Sequence, residues 1–334
     1  MPDLPILLIL IIVIAIVFDY TNGVHDSANA IATIVSTKVI SPRNAVMMAA
    51  ILNLVGAFIG THVASTIGKG IVNPEIITGS QTIILAALMG AIVWNLITWY
   101  FGLPSSSSHA LIGGLIGAAI AYKGWGALQF VSVLEKVILP LFLSPLAGFI
   151  GGYVLMVSLA WITYKLNPRK MNRLFRKLQV AGAAFMAMSH GSNDGQKTMG
   201  IITLALFLFH QIPAIEVPIW VKVACAGTIA FGTASGGWKI IKTMGKKIFK
   251  MEPIHGFAAE TSSSLVIIVA SAIGAPISTT HVFSSSILGV GSSKRFSAVK
   301  WGVAGHMVVA WLLTLPAAAL VGMACFYAVN LLLG

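Results

Sequence analysis

Charge is what this sequence has least of. Only 9% of its 334 residues are Asp, Glu, Lys or Arg, against about 25% in a soluble domain. Acids are the scarcer sign, 9 against 21 Lys and Arg. Cysteine is nearly missing: Cys225 and Cys325 sit in apolar runs without metal-ligand spacing, which argues against a disulfide framework and for buried thiols. The eight His show no His-Glu-x-x-His or Cys/His pattern, so a catalytic zinc is not supported. Strict in/out alternation over about ten residues is absent as well, and a β-barrel goes with it. What remains is apolar: 57% hydrophobic residues and a mean hydropathy of +0.92. Apolar runs of about 20 residues recur along the whole chain, which predicts an all-α polytopic membrane protein. Met1-Pro2-Asp3-Leu4 has no positive n-region and no Ala-x-Ala-like site follows, so the first apolar run is expected to stay as a span. The net charge of +12 is assigned to cytoplasmic loops and anionic lipid headgroups of the bilayer, with no nucleic-acid partner.

The chain divides in two. Residues 4–35 form a span interrupted near Asp19–Asp26; spans follow at 44–60 and 82–101. Pro104-Ser105-Ser106-Ser107-Ser108-His109 then interrupts, and apolar segments run over 110–121 and 130–164. The linker 165–177 carries six Lys/Arg and no acid. Beyond it the pattern restarts, with a break at Gly191–Lys197 and a second interruption at Pro276-Ile277-Ser278-Thr279-Thr280-His281. Gly23 and Asp26 match Gly191 and Asp194 at an offset of 168; Pro104, Ser106, His109 and Gly117 match Pro276, Ser278, His281 and Gly289 at 172. This is an internal repeat: residues 1–164, a cytoplasmic linker 165–177, and residues 178–334. Lys38 and Arg43 face a counterpart loop near 210–218 that has Glu216 and no Lys or Arg; the basic stretch 239–250 faces a neutral one near Lys69–Glu75. Positive-inside logic then puts equivalent loops on opposite sides. The expected architecture is two inverted-topology repeats with broken helices and re-entrant hairpins, both termini outside.

Two kinds of residue carry chemistry. The Ser/Thr clusters Ser106, Ser107, Ser108 and Ser278, Thr279, Thr280 each follow a Pro and precede a short helix. A helix N-terminus carries about half a positive charge and binds phosphate-like anions. Two such ends, one from each half, would cradle a tetrahedral oxyanion, with Gln196 as a further donor. Taken singly, each cluster is as well read as ordinary helix capping or close packing. Asp26 with Asn29, and Asp194 with Asn193, offer hard oxygen ligands for Na⁺, or a carboxylate for a proton, beside presumed breaks. Lys197 is placed either against Asp194 or against substrate. Glu260 is a candidate gate or proton site, equally readable as a first-turn acid; His109, His281 and Asp19 are expected to be cap residues. The run Gly191–Thr198 imitates a P-loop, but Gln196 stands where its second Gly belongs, so ATP binding is not expected.

Asn22-Gly23-Val24-His25-Asp26-Ser27-Ala28-Asn29-Ala30 and His190-Gly191-Ser192-Asn193-Asp194-Gly195-Gln196-Lys197 resemble the two signatures of the PiT family of inorganic phosphate transporters, in their bacterial form. The two Pro-to-His elements also match, so the resemblance spans the chain. It implies a low-affinity symporter of the inner (plasma) membrane that imports phosphate with Na⁺ or H⁺, not an enzyme, with no cofactor beyond the coupling ion. By position it makes Asp26, Asn29 and Asp194 the coupling-ion (Na⁺) candidates, the Ser/Thr clusters the phosphate candidates, and Glu260 a functional acid. Asn53 departs from the Glu of some members, eukaryotic ones notably, which weakens transfer of their ion choice. Transport of sulfate or of a metal–phosphate complex, an intramembrane enzyme acting on lipid-linked phosphates, and a passive anion channel are the alternatives; a homo-oligomer is compatible with each.

Overall fold

The computed structural model describes residues 4–69 and 80–333; Glu75 and the first three residues lie outside them. No strand occurs among the described residues. The helices, in chain order, are α1 (Leu4–Ser36), α2 (Pro42–Ala57), α3 (His62–Lys69), α4 (Thr82–Phe101), α5 (Ser107–Lys123), α6 (Phe130–Val133), α7 (Leu139–Thr163), α8 (Pro168–Leu208), α9 (Ile219–Ser235), α10 (Trp238–Lys242), α11 (Pro253–Ala272), α12 (Thr279–Lys294) and α13 (Trp301–Leu333). Wide helical turns at Leu134–Ile138 and Thr243–Lys247 follow α6 and α10. Among the described residues, five helical stretches are long and apolar enough to cross a bilayer, and the pair α9–α10, bent by 58°, would add a sixth. The chain is a multi-pass membrane protein.

Polar caps start the helices where apolar runs begin. Ser41 accepts from the Asn44 amide ahead of Pro42, Asn167 from the Arg169 amide ahead of Pro168, and Glu252 and His255 form a reciprocal box around Pro253. The basic stretch 165–177 is therefore mostly the first turns of α8 rather than a loop. Gly102 (φ +65°) ends α4 and Gly274 (φ +72°) follows α11; short extended segments then lead to Ser106 and Ser278, which cap α5 and α12. Only glycine adopts that backbone without strain.

The same order of elements occurs twice: α1 to α5 correspond to α8 to α12, a 3-10 turn follows α5 and α12 alike, and α6 with α7 stand where the second set has the single helix α13. The packing crosses between the copies. At the centre α1 lies on α9 and α2 on α8, while α1 also lies on α8 and α2 on α9. On one flank α4 and α5 pack with α13; on the other α11 and α12 pack with α7. Each copy's closing helix thus clasps the short helix of the other copy. Two hydrophobic cores result, one around Ile84, Leu88 and Ile112, the other around Ile31, Met244 and Phe283.

The helices run unbroken through both signatures, which overturns the breaks expected at Asp19–Asp26 and Gly191–Lys197. The glycines there serve close approach instead. A Cβ on Gly23 would meet the Ile229 carbonyl at 2.5 Å, and one on Gly191 would meet the Asn53 backbone. Polar residues do not end these helices because they face each other. As positions descend from Thr37, just past the end of α1, to Asp26 and Asp19 within it, their α8 partners ascend from Gln179 to His190 to Thr198. The two helices are antiparallel, with a buried polar seam between them.

The basic segments collect at one end. Arg176 donates to the carbonyls of Lys38 (3.0 Å) and Val39 (3.3 Å), the Lys300 amide donates to Ile248 (2.9 Å), and Lys294 stands 3.8 Å from Glu252. Glu216 lies with Thr61 and Ser65 around another cavity.

Candidate functional site

Along α1, Asp19, Asn22, Asp26, Asn29 and Thr33 recur every three or four residues and so share one face. All five are at most 3% exposed. Opposite them α8 presents His190, Asp194, Lys197 and Thr198, none above 1%. The N-terminal turns of α5 and α12 close on the middle of this seam.

Asp26 is held from three sides. His25 Nδ1 is 2.7 Å from its Oδ1, Thr280 Oγ1 donates to the same oxygen at 3.1 Å, and His190 Nε2 stands 3.9 Å from Oδ2. Asp194 pairs with the Lys197 ammonium, accepts from Thr279 Oγ1 (3.0 Å), and lies 3.0 Å from His190 Nε2. Asn29 donates to Thr280 (3.0 Å) and Thr279 (3.3 Å), leaving its amide oxygen without a partner among the described residues. Lys197 also donates to Ser108 and to the Ile277 carbonyl (3.0 Å). Ser107 lies at the start of α5 with its buried hydroxyl unengaged among the described residues. Two carboxylates, one ammonium and two imidazoles are thereby enclosed together. The oxygens of Asp26 and Asp194 with the ring of His190 are close enough to hold a cation.

The other predicted residues are placed as follows. Ser106 and Ser278 use their hydroxyls as helix caps, accepting from the backbone of His109 (3.1 Å) and His281 (3.2 Å). Gln196 accepts from the Val63 amide (3.0 Å) and donates to the Ile59 carbonyl (3.0 Å), pinning the start of α3. Asn193 donates to Ser271 (2.9 Å) on α11. Glu260 lies further along the seam, accepting from Thr33, where Thr37 donates to Gln179 (2.9 Å). His109 and His281 bring their rings together at 5.0 Å, and His281 stacks on Trp311 at 4.5 Å. Asp19 is no cap. It is inside α1 and accepts from Thr198 Oγ1 at 2.7 Å.

Sequence reasoning passed over His25 and His190. His25 ties Asp26 to Thr98 and Ser105 (both 3.2 Å), the residue before the α5 cap. His190 donates from Nδ1 to Asn53 Oδ1 (3.0 Å), and Asn53 donates on to Thr233 (2.8 Å). Their spacing was the available signal: His25 adjoins one Asp, and His190 lies one turn before the other.

A family model described as the phosphate transporter family matches residues 22–171 and 162–322. The chain belongs to this family. A probable low-affinity inorganic phosphate transporter of Bacillus subtilis (strain 168) is 48% identical over 333 residues, 99% of this chain and 100% of that one. One of Rhizobium meliloti (strain 1021), named likewise, is 46% identical, covering 97% of each chain. A solved structure titled "The sodium-dependent phosphate transporter" superposes with a TM-score of 0.88 at 24% identity, covering 98% of this chain and 100% of that one. At that identity the likeness is one of fold. The family's curated members are named as transporters, and this family member is a transporter rather than an enzyme.

Proposed function

We propose that the protein is a secondary symporter that imports inorganic phosphate with Na⁺ or H⁺ by alternating access. The observation that carries this reading is the enclosed cluster where the α5 and α12 N-termini meet the carboxylates of Asp26 and Asp194. Phosphate is taken by the two helix ends, through their free amides and the hydroxyls of Ser107, Ser108, Thr279 and Thr280. It arrives as an anion beside two carboxylates whose one Lys or Arg partner among the described residues is Lys197. One or more cations at Asp26, Asn29 and Asp194 offset that repulsion, so anion and cation bind better together than apart. This mutual dependence is what couples their movement. His25 and His190 hold the two carboxylates in place, Asn193 and Gln196 brace α8 against its neighbours, and Glu260 gates the seam on the side of Gln179.

Orientation follows from charge. The basic end faces the cytoplasm, the two element sets have inverted topology, and both termini lie outside. The hairpins α4–α5 and α11–α12 are re-entrant, bringing their short helices to mid-membrane. The membrane is the inner (plasma) membrane.

The test is uptake of labelled phosphate into proteoliposomes under an imposed Na⁺ or H⁺ gradient, with sulfate, and phosphate with Mg²⁺, as competitors. Uptake is expected to need one of the gradients and to resist sulfate. Asp26→Asn and Asp194→Asn are each expected to reduce it to background. Gradient-independent flux, or normal uptake by both variants, refutes the symport assignment.

A further inference from the structure

The mechanism above leaves a buried acid unused. Asp19 is fully buried seven residues before Asp26, two helical turns or about 10 Å along α1. An unpaired carboxylate costs several kcal/mol to bury in a membrane protein, so one that persists marks an ion path by default. Its Oδ1 accepts from Thr198, but its Oδ2 has no partner among the described residues. One turn on, on the same face, the amide oxygen of Asn22 is buried and equally unengaged.

A third element adds to the vacancy in hydrogen bonding. Thr98 of α4 meets His25, and Gly102 at the end of α4 accepts from Thr243 (2.9 Å), next to Gly245, which packs on Ala32. Helix α4 therefore runs parallel to α1, and Asn95 comes level with Asn22. Asn95 is 1% exposed with neither end of its amide engaged among the described residues. Asp19 and Asn22 thus share one face of α1, and Asn95 lies level with Asn22 on the packed helix α4, so three oxygen ligands without a partner among the described residues stand on adjoining helices beside the hydroxyl that orients the carboxylate. Among the described residues, no Lys or Arg faces Asp19 in an ion pair. An all-oxygen set of this kind suits a hard cation.

We propose that Asp19, with the amide oxygens of Asn22 and Asn95, forms a second Na⁺ site on the α1–α8 seam, separate from the Asp26–Asp194 cluster. Thr198 positions its carboxylate. The proposal rests on the reading of the seam as the cation side of a symporter, and adds a station two turns away from the anion. A purely structural Asp19, tying α1 to α8 through Thr198, gives no Na⁺ dependence.

Equilibrium binding of radioactive Na⁺ to the purified full chain in detergent, without phosphate and with choline holding the ionic strength, reads the site directly. Asp19→Asn is expected to lose one bound Na⁺ per chain while Asp26→Asn keeps that ion. Thr198→Val keeps the count but weakens the site by about 10–100-fold, as loss of a ligand's orienting partner does, and it covers the case in which Asp19→Asn fails to fold. Wild-type count and affinity in Asp19→Asn or in Thr198→Val, or no Na⁺ bound by the wild type above the choline background, overturns the proposal. Because the assay involves no transport, a failure of the symport reading in vesicles stands apart from this result.

Discussion

Replacing Lys197 by Met is the sharpest probe of the central cluster. The ammonium is 1% exposed and has three partners: the Asp194 carboxylate, the Ser108 hydroxyl and the Ile277 carbonyl. Removing one member of a buried ion pair costs about 3–5 kcal/mol, because the other charge is left uncompensated. Here the lower end applies, since Asp194 keeps His190 and Thr279 at 3.0 Å, and Ser108 lies 3.4 Å from the Ile277 carbonyl to which it can donate. Asp194→Asn alone strands the ammonium between a hydroxyl and a carbonyl, and should cost nearer the upper end. The double variant Asp194→Asn/Lys197→Met removes both charges and is left mainly with imperfect hydrogen bonds, worth about 1–2 kcal/mol. The single costs together come to about 8 kcal/mol, so the expected coupling is about 6–7 kcal/mol, above the roughly 0.5–3 kcal/mol usual for residues in contact. Reversible unfolding in mixed micelles of rising SDS fraction measures each corner of the cycle. Single effects that add to within about 0.5 kcal/mol, or a Lys197→Met protein that unfolds like the wild type, refute the reasoning.

Two further outcomes are expected. Ser107→Ala with Thr279→Ala should weaken phosphate binding by about 10-fold, roughly the 1.4 kcal/mol of losing one to two net hydrogen bonds; an unchanged dissociation constant excludes these helix ends as the anion site. In a background without Cys225 and Cys325, single cysteines at Lys170 and Lys247 should react with an impermeant reagent only from the cytoplasmic side and one at Glu216 only from outside, and the reverse pattern or a shared side defeats the inverted arrangement.

The repeat, the helical class and the capping role of Ser106 and Ser278 are legible in the sequence, because they depend on local chemistry: a Pro, a cap hydroxyl and an apolar run. The pairing of Asp26 with Thr280 and of Asp194 with Thr279 is the non-local counterpart of the same repeat, and spacing alone brought those residues under suspicion. Continuity of α1 and α8 is not legible. Polar residues inside an apolar run read as an interruption when one segment is considered alone; they are compatible with an intact helix once a second, antiparallel helix offers matching partners. Gln196 shows the same blindness: its amide looks suited to an anion, but the Ile59 carbonyl accepts from its nitrogen and the Val63 amide donates to its oxygen, both more than a hundred residues away in sequence. The pairing of His190 with Asn53 is hidden for the same reason.

The exchange of closing helices has a mechanical meaning. Because α13 lies against α4 and α5, and α7 against α11 and α12, the helices packed together on each flank do not follow the division of the chain at the basic stretch. Each flank is a trimer of mixed parentage, and between them stands a four-helix core drawn equally from both copies. Each copy's short helix is packed against the other copy's last span. One copy synthesised by itself therefore lacks a complete flank: its short helix is left without the span that covers it.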